Sequence, residues 1–217
     1  MKKYLVLPML FAGAFALPCA AEFKDAAAAK AALGSSAEKD RLDAIHFLGA
    51  QRTQAACETL AGHFKQEKDP YLRMQLVQAL DVHVSTWATS CVIAAADDSN
   101  QYVKQAAIVS LSRLRGNAAA EKKMKDLTAD PSEVVRITVV NALSVNTSTT
   151  SVAIVSGVLA DKKGTLKARR AAAGVLSRMA TPEADKELLK HVSDADPEIK
   201  AAAVSRKPSK AKPAKKK

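Results

Sequence analysis

The residues best equipped for chemistry in this chain are its four histidines, its three cysteines and the lysines crowded at its C-terminus. The histidines are His46, His63, His83 and His191, followed in turn by Phe, Phe, Val and Val. Acid–base or metal work needs a second group held at a fixed spacing from the imidazole. No His, Cys or Asp set has the spacing of a metal site, and the glycine motifs of phosphate loops and nucleophile elbows are missing. The histidines read as interface or surface residues. No catalytic group, metal or cofactor is expected.

Of the cysteines, Cys19 sits in an N-terminal leader and two remain beyond it, Cys57 and Cys91. An even pair in an oxidising compartment is a disulfide candidate. Two buried thiols acting as small apolar residues are the equal alternative. The last eleven residues, "KPSKAKPAKKK", contain no acid. With the residue before them they supply seven cations: Arg206, Lys207, Lys210, Lys212, Lys215, Lys216 and Lys217. Pro208 and Pro213 keep this segment out of a helix, so it is expected to be disordered. A mobile cationic tail binds anionic polymers, or an anionic membrane surface, by releasing counterions. No aromatic residue interleaves with the lysines, so specific nucleic-acid recognition is not expected. A solubility tail is the plainer alternative.

The leader sets the compartment. Lys2 and Lys3 precede an apolar stretch, Tyr4 to Leu17, and Pro18-Cys19-Ala20-Ala21 offers small residues for cleavage. The stretch is shorter than the roughly 20 residues a bilayer span needs. Residues 1–21 therefore read as a signal peptide, and the mature chain as exported, in a bacterium to the periplasm. Pro18 stands where a lipoprotein signal wants Gly or Ala, so lipidation at Cys19 is not expected. The chain has 33 basic and 22 acidic residues. The leader accounts for two of the bases and the tail for seven, so residues 22–205 are close to neutral.

Residues 22–206 are organised as a repeat. Segments aligned on a basic anchor begin at Arg41, Arg73, Lys104, Arg136, Arg169 and Lys200, spaced by about 32 residues. Apolar residues recur at offsets −1, +3, +4 and +7, one stripe of a helix. Leu48, Leu80, Leu111, Leu143 and Leu176 hold the +7 place, and Val204 holds +4 in the last repeat. Between these first helices lie second helical patterns over 53–64, 86–96, 118–127, 150–160 and 182–192. Asp-Pro steps at Asp69-Pro70, Asp130-Pro131 and Asp196-Pro197 are expected to start helices. Ser35 with Glu38 fits a capping box. Phe23–Leu33 and Pro197–Arg206 read as terminal half-repeats.

Asp-Pro, an apolar residue, Arg or Lys, then "xxAxxxL", at a period near 32, resembles the short HEAT-like repeats of the phycobilisome-lyase type. The resemblance covers about residues 23–206. It implies an all-α solenoid of about five helix pairs with terminal half-repeats, stacked into a right-handed superhelix. Such arrays serve as scaffolds, adaptors and enzymes. Some form a di-iron site from His-Glu dipeptides, which this chain lacks. A lyase-like enzyme is the least favoured class, and no chromophore pocket is legible. In such arrays the anchor residue bonds groups at neighbouring helix ends, and Asp98 and Asp130, six residues before Lys104 and Arg136, are the candidate partners. Tyr71, Trp87 and Tyr102 form a candidate aromatic patch. The second helices, expected to line the concave side, vary most. The favoured function is a non-enzymatic scaffold or adaptor in the bacterial envelope that binds another protein. Polyanion binding through the tail is the alternative.

Overall fold

A computed structural model describes residues 23–81 and 86–206, without the side chains of Thr86 and Trp87. The signal-peptide residues, His83, the Trp87 side chain and the tail lysines lie outside the described residues. The fold is all-α, with twelve α-helices, one 3-10 turn and no strand among the described residues.

The first helices of the repeats are α2 (Glu38–Gln51), α4 (Pro70–Asp81), α6 (Gln101–Arg113), α8 (Glu133–Ala142), α10 (Leu166–Met179) and α12 (Pro197–Val204). The second helices are α3 (Gln54–Phe64), α5 (Thr86–Ala95), α7 (Ala118–Leu127), α9 (Thr149–Ala160) and α11 (Pro182–Leu189). The short helix α1 (Ala26–Ala32) packs on α2 and closes the N-terminal end. Each first helix packs against the next first helix, each second helix packs against the first helix that follows it, and second helices pack on second helices. The result is an α-solenoid of two layers.

The apolar stripe explains why the pairs stack. At offset +3, Ala44, Leu76, Ala107, Val139 and Ala172 are buried, and so are Ile45, Val77, Ile108, Val140 and Ala173 at +4. The five leucines at +7 are at most 2% exposed. One helix pair alone would leave this stripe in water. Stacking joins the stripes into a single core that runs the length of the array. Gly49 permits one close crossing, since a Cβ there would meet Ala79 Cβ at 3.0 Å. Val204 departs from the pattern. It is 42% exposed, with no helix after α12 among the described residues.

Helix starts follow the polar residues, with two corrections. Asp25, Thr53, Asn100, Asn117, Ser148, Thr165, Thr181 and Asp196 each accept a hydrogen bond from a backbone N–H of the first turn. Pro70, Pro182 and Pro197 open their helices. Pro131 does not. The helix α8 begins two residues later, after Ser132, and Asp130 is drawn instead into an ion pair described below. Nor does Ser35 form a capping box with Glu38. Ala37 is the cap residue of α2, and Ser35 Oγ accepts from Ala37 N and donates to Asp40.

The two layers differ. Neighbouring first helices approach along more of their length than neighbouring second helices do. Grooves open between neighbouring second helices, at α3 and α5 and at α9 and α11.

Candidate interaction surface and the ladder of ion pairs

The basic anchors form a ladder along one edge of the stack. At each junction between repeats stands an acid: Glu67, Asp98, Asp130, Asp161 and Asp194. One oxygen of each accepts from the backbone N–H two residues on, at 2.8–3.0 Å. This turn fixes the carboxylate at the start of the next first helix. A carboxylate held in this way reaches back to the anchor of the preceding repeat. Arg41 Nε donates to Glu67 at 3.0 Å and Arg73 Nε to Asp98 at 2.7 Å. Lys104 Nζ donates to Asp130 at 3.0 Å and Arg169 Nη2 to Asp194 at 2.6 Å. The anchor's Nη1 meanwhile donates to carbonyls of its own loop: Ser35 and Ser36 for Arg41, Glu67 and Lys68 for Arg73, Asp130 and Pro131 for Arg136.

The pairing runs one repeat further than the sequence suggested. Asp98 pairs with Arg73, not Lys104, and Asp130 pairs with Lys104, not Arg136. The anchor's role is structural: it ties down its own loop through carbonyls and joins the next repeat through the carboxylate. Burial pushes the Asp98 carboxyl upward, yet the Arg73 guanidinium and the Asn100 N–H outweigh it and hold the group below its ordinary value. Glu67 is lowered in the same way, against burial, by the Asp69 N–H, His63 and Arg41. Asp194 is lowered chiefly by the Asp196 N–H.

The described histidines lie on or near this ladder. His63 bonds Glu67 at 3.1 Å and His191 faces Asp194 at 3.3 Å, each sharing the acid with an anchor. His46 is exposed and lies 3.4 Å from Gln75. No group of three or more His, Cys, Asp or Glu side chains able to hold a metal occurs among the described residues.

One rung is open. Asp161 holds the ladder position after Arg136 and makes the same turn, with Lys163 N on Oδ1. Its other oxygen lies against Gly164, where a Cβ would stand 3.0 Å away. No ion pair joins it to Arg136 among the described residues. The cause is loop length. Glu67, Asp98 and Asp130 precede their own repeat's anchor by six residues, whereas Asp161 precedes Arg169 by eight. Arg136 and Asp161 instead line one cavity of about 380 Å³, with Thr128, Lys163, Gly164 and Thr165.

Beside the ladder runs an exposed apolar ridge. Tyr71, Tyr102 and Val134 each stand two residues before an anchor, and Leu166 opens α10 three residues before Arg169. They are 46, 67, 43 and 44% exposed. With helix spacings of about 8–10 Å, the four cover roughly 30 Å. The tyrosines were legible in the sequence as a candidate patch. Val134 and Leu166 were missed, because an apolar residue at a helix start looks like core.

Cys57 and Cys91 lie on the adjacent helices α3 and α5, both buried and not bonded to each other. Burial, and then the nearby Cys57, push the Cys91 thiol up to about 11. Cys91 also lines the groove between α3 and α5, with Glu58, Ala61, Lys65 and Ala94. Of the tail cations, Arg206 belongs to the folded body, with Nε 3.4 Å from Asp185 Oδ1.

Comparison with solved structures agrees with this architecture. A designed armadillo repeat protein in complex with the peptide (KR)4 matches at TM-score 0.53 and 15% identity, over 82% of this chain and 96% of that one. An engineered protein matches at TM-score 0.53 and 15% identity, over 85% and 95%. A phycocyanin lyase complex from Nostoc superposes at TM-score 0.41 and 19% identity, over 84% and 95%. The fold is a helical-repeat solenoid. At such identities the likeness speaks for fold alone. No protein-family model and no curated protein matches the chain.

Proposed function

We propose that the chain is a non-enzymatic scaffold of the bacterial envelope, exported to the periplasm, that holds another protein along its exposed ridge. The observation that carries this reading is the ridge itself. Three large apolar side chains at equivalent positions, Tyr71, Tyr102 and Val134, face water, with Leu166 at the start of α10 beyond them, although the fold buries the neighbouring stripe residues almost completely. We read this row of exposed apolar side chains as an interaction site. The partner is a polypeptide laid across the first-helix starts, with its own apolar residues meeting Tyr71, Tyr102, Val134 and Leu166. The leader supports the assignment to the envelope.

The test compares capture from envelope extract by the wild-type protein and by a Tyr71→Ser/Tyr102→Ser/Val134→Ser variant of unchanged helix content and melting temperature. Loss of the same captured protein supports the reading. Capture of an identical set by both proteins refutes it.

The tail supports a second activity. Six lysines without an acid favour weak attachment to lipid phosphate, lipopolysaccharide or wall polymer. Deleting residues 207–217 should abolish binding to anionic vesicles. In the intact chain that binding should fall steeply between about 50 and 200 mM salt. Binding that survives the deletion places the site on the solenoid.

A further inference from the structure

We infer that the open rung at Arg136 is a binding site for a carboxylate, namely an acidic side chain of the polypeptide held on the ridge. The inference rests on the scaffold reading for the identity of the ligand, but not for the chemistry of the site.

The closed rungs show what the site is built to hold. In Arg41 and Arg73 the Nη1 atom binds two loop carbonyls while the Nε side of the guanidinium binds a carboxylate. Arg73 uses both Nε and Nη2 on Asp98, in the two-pronged geometry that guanidinium and carboxylate share. Arg136 keeps the carbonyl half of this arrangement, with Nη1 at 2.6 Å from Asp130 O and 3.0 Å from Pro131 O. Its Nε and Nη2 have no partner among the described residues. The guanidinium is therefore oriented by its loop, as in a closed rung, with the carboxylate-binding edge unoccupied.

The cavity gives that edge a ligand-sized space. It measures about 380 Å³ and takes in Arg136 and Lys163, whose ammonium likewise has no partner among the described residues. Asp161 contributes one negative charge to the same lining. The three formal charges sum to a single positive one, which suits a monoanion such as a carboxylate better than a phosphate dianion. Gly164 leaves room for Asp161 Oδ2 against its own loop, where a Cβ would stand 3.0 Å away. Val134, two residues before Arg136, and Leu166, next to Thr165 of the lining, are both exposed. A chain lying along the ridge passes over the opening, where an Asp or Glu side chain completes the rung.

The experiment is nuclear magnetic resonance of the arginine Nε–Hε groups in the intact protein, titrated with N-acetyl-aspartate amide, a probe with one side-chain carboxylate and both termini blocked. The expected result is a saturable shift of the Arg136 resonance, with Arg41 and Arg73 unmoved because their edges are filled. The asparagine analogue should give no shift. Arg136→Gln should remove the response, and Tyr102→Ser should leave it intact. An absent or non-saturating shift overturns the site. A stronger response to inorganic phosphate overturns the carboxylate assignment. A site that binds the probe while Arg136→Gln leaves partner capture unchanged upholds the carboxylate chemistry and overturns its assignment to the ridge partner.

Discussion

Removing the anchor from a closed rung should cost more than removing it from the open one, and Arg73 and Arg136 provide the comparison within one protein. Arg73→Met keeps the aliphatic stem and deletes four hydrogen bonds, two to Asp98 and two to loop carbonyls. It also strands the Asp98 side chain, which is only 9% exposed. Hydrogen bonds to charged groups are worth about 1.5–3 kcal/mol each and do not add. Breaking a fully buried pair costs about 3–5 kcal/mol. The Arg73 side chain is 15% exposed, so solvent screening brings the expected cost down to about 2–3 kcal/mol. Arg136→Met deletes only the two carbonyl contacts and strands no acid. Its expected cost is about 1 kcal/mol. Urea unfolding followed by circular dichroism at neutral pH measures both. Acid supplies a second axis. Asp98 is held below its unfolded value of about 3.9, so its contribution is complete at neutral pH and is lost as the pH falls through the folded value. The wild type should therefore lose more stability between about pH 6 and pH 3 than Arg73→Met does. Equal costs for the two substitutions, or a larger one for Arg136→Met, would refute the ladder as drawn.

Four further outcomes follow from the structure. Leu111→Ala, at a side chain 2% exposed in the middle of the array, should lower stability by about 2–5 kcal/mol. The exposed His46→Ala should change it by about 0.5 kcal/mol or less, with urea midpoints as the measure. Ala180 ends α10 in the left-handed region, at φ 51°, so Ala180→Gly should raise the melting temperature, by up to about 1 kcal/mol in stability. Cys91, with its thiol at about 11, should resist iodoacetamide at about pH 8 in the native protein and react readily in urea, as read by mass spectrometry. Fast labelling of the folded protein would contradict its burial.

The solenoid was legible because a stack must bury the same offsets in every repeat, and burial demands apolar identity there. Leu48, Leu80, Leu111, Leu143 and Leu176 could be aligned by eye, and all five are core. The direction of the ladder was not legible. Asp98 lies six residues from Lys104 in sequence but binds Arg73, 25 residues away, because the turn on Asn100 aims its carboxylate backward. The open rung was hidden for a related reason. Asp161 has the correct spacing from Arg136, and only the path of the lengthened loop shows that its oxygen rests on Gly164 instead. Tyr71 and Tyr102 stood out as aromatics, whereas Val134 and Leu166 became part of the ridge only once their exposure was known.

The ladder also governs how the array comes apart. In a one-dimensional stack, cooperativity is the strength of each nearest-neighbour coupling, and the rungs are part of that coupling. Four junctions carry a rung and one does not. At the open junction the coupling rests on the packing of α10 against α8 and α9, without a rung. A partner that completes the fifth rung would add a polar link there and make the solenoid unfold more nearly as one.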